Sequence, residues 1–365
     1  MADLGVDTNG RVAALLRDLA AVQTSKHSMW GYKRAAAAVL ALEEPIESFL
    51  QPDGTLAKIP NIGPKSANVI LEVLTSGSSP SVEHAVTASD RASDIKTRRG
   101  LRNNFLSRAQ VMAALNDRQL NGPSLQDYHG DLQMHSVYSD GSQTLEEIAV
   151  AGLERGYQFC AVTDHSYGLR IARGMSMTEM TTQHEEIDRV NREYRGRFRL
   201  IKGIEANINA DGSIDMTREE LERLELVLVA PHSALRRTED QTERMKTAVR
   251  TPRVHILAHP RGRMYGSRAG VIADWDEVFA AAADANVAIE IDGDPSRQDV
   301  DYELARRAVD AGCLFALDSD AHSTAELDYA ATAVAHARLA GVPRERVINC
   351  WPVDQLMAWL EDRRG

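Results

Sequence analysis

Residues 198–205 read FRLIKGIE, a short apolar run that ends on an acid and gives way to a helical pattern. Outward from it the same grammar recurs in DLQMH (131–135), FCAVTDH (159–165), LELVLVAPH (224–232), VHILAHP (254–260), VAIEIDG (287–293) and LFALDSDAH (314–322). Strands that alternate with helices predict a parallel sheet. Seven such units in about 230 residues predict a closed α/β barrel one unit short of the common eight. An open doubly wound sheet is the alternative. No GxGxxG turn follows the first strand, so its nucleotide-binding form has little support.

Ahead of these units the pattern is different. NGRVAALLRDLAAVQ (9–23) and KRAAAAVLAL (33–42) have helical spacing and no strand alternation, and NGPSLQDYHG (121–130) reads as a linker. Residues 1–126 hold 14 basic and 12 acidic side chains (+2), whereas 127–365 hold 28 and 41 (−13). The net charge of −11 therefore argues against a polyanionic partner only for the second part. The stretch IKTRRGLRNNFLSR (95–108) has five basic residues and no acid, which suits a solvated helix face as well as a phosphate contact. Cys160, Cys313 and Cys350 form no CxxC pair, so neither a disulfide framework nor a thiolate zinc site is expected. No signal-like or membrane-length apolar segment is present, and a cytoplasmic location with no membrane partner is the expectation.

Five histidines close the apolar runs: His135, His165, His232, His259 and His322. Asp140, Glu205 and Asp320 occupy equivalent places, and loops at the C-terminal ends of barrel strands converge on one mouth. Imidazole with carboxylate and no thiolate suits Zn, Mn or Fe. Eight such ligands exceed one tetrahedral ion and predict a cluster of two or three divalent ions with open positions. Glu290 and Asp292 also end a run, and their spacing lets one of them face the barrel interior as a supporting group. His129, His255 and His336 read as structural, and His27, His84 and His184 as surface or helix residues.

GDLQMHSVYSDG (130–141), AVTDH (161–165), GIE (203–205), APHS (230–233), AHPRGR (258–263) and SDAH (319–322) together resemble the PHP family, named for polymerase and histidinol phosphatase. The resemblance implies a distorted seven-stranded TIM-like (βα) barrel whose trinuclear site hydrolyses phosphoesters. Carried over by position, His135, Glu205 and Asp320 would hold one ion. Glu205 would bridge to a second held by His232 and His259, and Asp140, His165 and His322 would hold the third. The first histidine of the family's HxH motif is Gln133 here, a weaker ligand that leaves the first site loose or shifts it toward oxygen-loving ions. Arg261 and Arg263 resemble the family's phosphate-facing basic group, Arg263 the better match.

LAKIPNIGPKSANVILEVLTSG (56–77) resembles a helix-hairpin-helix, with Asn61 in place of the hairpin's first glycine. Backbone amides at the start of its second helix, with Gly63 and Lys65, would hold a DNA phosphate. Asn61 is tolerable there because Asn visits positive φ more readily than most residues. With NGRVAALLRDLA and GYKRAAAAVL before it, the hairpin is similar to the N-terminal lyase-like domain of X-family DNA polymerases, which in bacteria end in a PHP domain. The polymerase palm is missing, and Val69 stands where lyase-competent members carry a Schiff-base lysine, so neither nucleotide addition nor imine chemistry is expected.

The expectation is thus a helical hairpin domain over 1–126 that binds DNA independently of sequence, and a PHP phosphoesterase barrel over 127–365. Its activity would be that of a 3'-5' exonuclease, or of a 3'-end-processing or abasic-site nuclease in DNA repair. Arg263 would neutralise phosphoryl charge, Asp140 or a metal-bound water could protonate the leaving oxygen, and a separate repair polymerase would be a partner. A small-molecule phosphatase of the histidinol-phosphate type is the rival reading, and an inactive scaffold, motivated by Gln133, the third.

Overall fold

The computed structural model describes residues 5–362. The chain divides into two compact units, Met1–Gln119 with Tyr265–Ser267, and Leu120–Met264 with Arg268–Gly365. The division falls ahead of the linker at 126 because Arg338 holds that linker in the second unit, donating to the carbonyls of Leu120 and Pro123 at 3.2 Å each.

The first unit is helical: α1 (Thr8–Ala21), α2 (Lys26–Leu40), α3 (Pro64–Ser76), α4 (Pro80–Thr87), α5 (Ala92–Gly100) and α6 (Arg108–Asn116). Asp7 starts α1 by accepting from the Gly10 amide at 2.8 Å. Val12, Leu16 and Ala20 of α1 bury against Ala35, Ala36 and Val39 of α2 and Val69, Ile70 and Val73 of α3. The basic stretch 95–108 turns out to be neither a bare solvated face nor a free phosphate contact. Arg99 and Arg102 grip Asp18 at 2.6 and 2.7 Å, Arg99 also reaches Glu83 at 2.7 Å, and Arg98 pairs with Asp94 at 3.0 Å. Asp18 and Arg102 are 1% and 8% exposed, so Asp18→Ala leaves a buried guanidinium without its main partner. Breaking such a pair costs about 3–5 kcal/mol. The melting midpoint of this unit should fall by at least about 10 °C in a thermal scan. A shift below about 2 °C would mean the pair is in effect solvated.

In the second unit, among the described residues, seven parallel strands follow one another in order: β1 (Gly130–Asp131), β2 (Phe159–Val162), β3 (Arg199–Asn207), β4 (Leu226–Ala230), β5 (Ile256–Leu257), β6 (Ala288–Asp292) and β7 (Leu314–Asp318). Helices between and after them cover the outside: α7 (Leu145–Glu154), α8 (Met177–Glu193), the short α9 (Arg218–Leu221), α10 (Thr242–Arg250), α11 (Trp275–Asp284), α12 (Tyr302–Asp310), α13 (Ala330–Ala340) and α14 (Val353–Asp362). The interior is apolar from Leu132 and Phe159 round to Ala288 and Ala316, and Leu356, Trp359 and Leu360 of α14 pack into the same cluster. This leaves the C-terminal ends of the strands for chemistry. The three cysteines are buried and free. No helix among the described residues is long and apolar enough to cross a membrane.

The barrel is nearly closed. Between β7 and β1 a ladder is replaced by one bridge, Met134 to Ala321, and by side chains. Asp318 accepts from the Leu132 amide at 2.9 Å, and Asp131 accepts from the Ser319 amide at 3.2 Å. β1 and β5 are shorter than their apolar runs for a related reason. Met134 donates its amide to Thr163 Oγ1 at 3.0 Å, and His259, at φ +25°, donates its amide to Glu290 at 2.5 Å. Where the ladder's amides turn to side-chain acceptors, the chain leaves the strand and carries its histidines into the mouth.

Candidate metal centre

Glu205, fully buried on β3, is the hub. Its Oε1 lies 2.8 Å from His259 Nε2 and 3.2 Å from His232 Nε2, and its Oε2 lies 3.1 Å from His165 Nδ1 and 3.4 Å from His135 Nε2. His135 Nε2 is also 3.1 Å from Asp320. Asp140 gathers His322, His165 and His135 at 3.4, 3.6 and 3.9 Å. The eight residues that close the apolar runs thus meet in one place.

Their ligand atoms fall into three groups: His135, Asp140, His165 and His322; His165, Glu205 and His232; His135, Glu205 and Asp320. The groups overlap more than the carried-over assignment does, since His135 and His165 each belong to two. His259 lies outside these groups and joins the cluster through Glu205 and through an edge-on ring contact with His232. Atoms of this cluster also test whether ions fit. His135 Nδ1 and His259 Nδ1 are buried and make no hydrogen bond, and Glu205 Oε2 and His165 Nδ1 have only each other and His135 within ion-pair distance. The His135 ring stacks on His165 and His322 with centroids 4.4 and 4.3 Å apart. So many unsatisfied donors and acceptors are costly to bury unless cations complete them. The all-N/O set fits divalent ions of the Zn, Mn or Fe kind.

A surrounding layer aims these ligands. His232 Nδ1 donates to Asn207 Oδ1 at 2.7 Å, which leaves the Nε2 lone pair toward Glu205. Asn207 is held in turn by Ser166 and Asp215. Asp164 accepts from the Ser136 amide at 2.8 Å and from the Ser136, Ser139 and Gln183 side chains, fixing the turn that carries Asp140. Sequence reading passes over Asn207 and Asp164, because no spacing distinguishes a supporting amide or acid from any other polar residue. His255 and His336 are buried and hydrogen-bonded at both ring nitrogens, as structural histidines are.

Three site expectations need correction. Arg263 is not presented to the ligand cluster: it is 5% exposed, with its guanidinium spent on Asp301 at 3.1 Å and on the carbonyls of Arg297 and Gln298 at 2.9 and 2.7 Å. Arg261 is likewise paired, with Asp299 and Asp301. The arginine at the cluster is Arg297, 3.2 Å from Asp320 Oδ2 and partly exposed. Asp140 is a poor proton donor. Burial opposes its ionisation, but the hydrogen bond from His322 and the nearby histidines bring it down to about 2, so it is a carboxylate at neutral pH. Finally, Glu290 and Asp292 both face inward and are both fully buried, as residues two apart on a strand must be. Gln133, also fully buried, lies between Asp320 and Glu290. With its amide nitrogen turned to Glu290 it donates at 3.0 Å, and its oxygen then lies on the Asp320 side.

His322 carries a pH signature. Burial works against its charge, yet the Asp140 hydrogen bond and Asp320 outweigh burial and lift it from 6.5 to about 9. Metal-free protein therefore holds this proton at neutral pH, and a divalent ion must displace it. Apparent Mn or Zn affinity should climb by about tenfold per pH unit up to about 9, with proton release seen by calorimetry in two buffers. Affinity flat across this range would count against His322 as a ligand. Without metal the sign reverses for stability. A raised pKa stabilises the fold below 6.5, and that contribution is lost as pH rises through about 9.

Comparisons with known proteins bear on both units. A family model described as a helix-hairpin-helix domain matches residues 7–79. A probable phosphatase of Serratia proteamaculans is 30% identical over 253 residues, which are 65% of this chain and 96% of that protein. The chain belongs to the PHP family of phosphoester hydrolases. The DNA polymerase/3'-5' exonuclease PolX of Bacillus subtilis is 35% identical over 233 residues, 64% of this chain. This PHP chain covers only 41% of that longer relative. A solved histidinol phosphate phosphatase of Lactococcus lactis, described with zinc, L-histidinol and phosphate, aligns with a TM-score of 0.42 at 16% identity, over 57% of this chain and 92% of that one.

Proposed function

We propose that this protein is a metal-dependent phosphoesterase of DNA, a 3'-5' exonuclease or 3'-end-processing or abasic-site nuclease in repair, without polymerase activity. One observation carries the reading: the PHP barrel shares its chain with a hairpin unit that has the makings of a phosphate grip. Asn61, at φ +63°, turns the hairpin into Gly63, which caps α3. A cavity of about 560 Å³ opens there, lined among others by His27, Arg34, Lys58, Gly63 and Lys65. Val69 is buried in the core beside α1, so the unit would hold DNA without attacking its sugar.

At the barrel, two or three divalent ions held by His135, Asp140, His165, Glu205, His232, His259, Asp320 and His322, with Gln133 at the margin, would activate water and neutralise phosphoryl charge. Arg297, beside Asp320, takes the phosphate-facing part first expected of Arg263. Asp140 serves as a ligand. Asn207 keeps His232 in one tautomer and orientation, and Asp164 holds the turn that carries Asp140.

A small-molecule phosphatase is the second reading, favoured by the near-complete coverage of the Serratia phosphatase, for which the barrel alone suffices. Incubation with Mn and a 3'-labelled duplex, beside histidinol phosphate and an aryl phosphate, separates the two. Release of the 3' label as a small product is expected. Rapid monoester turnover with every DNA substrate left whole would overturn the proposal.

A further inference from the structure

One side of the barrel mouth is edged with apolar side chains that the metal centre does not use. Ile171, in the loop between β2 and α8, is 93% exposed, and Val137 and Tyr167 are exposed as well. Single exposed apolar residues are ordinary on a protein surface. These three are set apart by their neighbours: Val137 stands two residues after His135 and three before Asp140, and Tyr167 two residues after His165. Arg173 ties loop and turn together, its guanidinium donating to the carbonyls of Val137, at 3.4 Å, and of Ser139, next to Asp140.

The loop 166–174 is built and held. It closes on itself, with the Leu169 carbonyl accepting from the Ala172 and Gly174 amides at 3.2 and 3.0 Å and the Ser166 carbonyl from the Leu169 amide at 3.1 Å. At its ends the Ser166 amide donates to the Glu205 carbonyl at 3.0 Å and the Met175 amide to the His165 carbonyl at 2.7 Å, so the loop hangs directly on two ligand residues. A side chain at Gly174 would collide with the Ser166 carbonyl, and one at Gly168 with Asp215, which also holds Asn207 behind His232. Tyr167 fixes its ring by donating its hydroxyl to Glu220 at 3.0 Å. Ala172 and Met175 are buried, and between them Arg173 takes φ +54°. Ile171 stands outward on this held turn and, so exposed, contributes almost nothing to the core.

An enzyme that cuts at a 3' end must draw the terminal phosphodiester to the ligand cluster, and in a duplex the terminal base then has to leave its partner and its stack. Apolar side chains that enter between base steps part them, and aromatic rings hold freed bases. A protein docked on an edge two residues from His135 and His165 would obstruct the mouth, whereas a base of the substrate arrives there by necessity. The loop's charge agrees, since SYGLRIARG (166–174) carries two basic residues and no acid on the part of the chain whose net charge is −13. We propose that Ile171 is the strand-separating residue of this enzyme, a fixed apolar wedge at the 3'-terminal base pair, with Val137 and Tyr167 completing the apolar edge. The inference rests on the DNA reading above. It makes Ile171 decide which ends are cut: paired ends need the wedge, and ends already unpaired do not.

The test uses Mn-loaded full-length protein and three 3'-labelled substrates of one sequence: a blunt duplex, the same duplex with its terminal pairs mismatched, and the single strand. Ile171→Ala should lower kcat/KM on the blunt duplex by about tenfold, the scale of one isoleucine's apolar contact. On the mismatched duplex and the single strand the loss should stay below about twofold, because no pair has to be opened there. Ile171→Leu, which keeps the apolar bulk, should remain within about threefold of wild type on the blunt duplex. Both variants should hydrolyse bis(p-nitrophenyl) phosphate at the wild-type rate. Equal losses on paired and unpaired ends, no loss on paired ends, or a matching loss on the small diester overturn the wedge, as does a wild type that cuts the single strand and leaves paired ends whole. A wild type that hydrolyses the small diester but leaves all three DNA substrates whole overturns the DNA reading, and the wedge falls with it.

Discussion

Glu205→Gln should leave the protein folded, deplete it of at least one divalent ion per chain and lower phosphodiester hydrolysis by about three orders of magnitude or more. The substitution keeps volume and removes the charge that four histidines share, at 2.8–3.4 Å. Burial opposes ionisation of Glu205, yet His165, His232 and His259 hold its pKa well below the usual range, so the wild-type group is a carboxylate and can serve two ions at once. An amide offers one acceptor and turns a donor toward imidazole nitrogens. Ions in such sites contribute several kcal/mol of transition-state stabilisation, which fixes the scale of the loss. Elemental analysis after dialysis reads the ions, and turnover of bis(p-nitrophenyl) phosphate reads the chemistry. His84→Gln, on α4 of the helical unit, is the control and should match wild type in both. A Glu205→Gln protein with full metal content and activity within tenfold of wild type would remove Glu205 from the centre of the site.

What sequence can reveal here follows from what spacing encodes. Strand-end position is encoded, so His135, His165, His232, His259 and His322 can be gathered from residues far apart in the chain. Side-chain direction after a turn is not. Arg263 follows His259 closely, but the backbone between them passes through His259 at φ +25° and Gly262 at φ +56°, and the guanidinium ends on Asp301. Arg297 sits in the loop after β6, where no apolar run marks it, and it is the arginine that reaches Asp320. Hydropathy overstates strand length for the same reason. Apolar runs at β1 and β5 continue past the point where Thr163 and Glu290 take over as acceptors, and hydropathy does not register which acceptor an amide finds. Asn61 is the opposite case. Its tolerance for positive φ is a property of the residue, and it is found at φ +63°.

Charge reversal at Lys58 and Lys65 should weaken DNA binding by about two orders of magnitude at low salt while a small aryl phosphodiester is hydrolysed as before. Both lysines line the hairpin cavity, and neither forms an ion pair among the described residues, in contrast to Arg98, Arg99 and Arg102, which are committed to Asp18, Glu83 and Asp94. Lys65 stands in the first turn of α3, where backbone amides without helical partners and the helix dipole add to its charge. Each lysine that no longer neutralises a phosphate takes about one unit from the slope of log affinity against log salt, so the double variant should show a slope lower by about 2. Fluorescence anisotropy on a labelled gapped duplex over a salt series gives affinity and slope together. Proximity effects make the consequence for catalysis substrate-dependent: kcat/KM on long DNA falls with affinity, and kcat at saturation does not. Unchanged anisotropy with unchanged slope would mean the hairpin grips no phosphate, and any DNA engagement would then rest on the barrel mouth and its arginines.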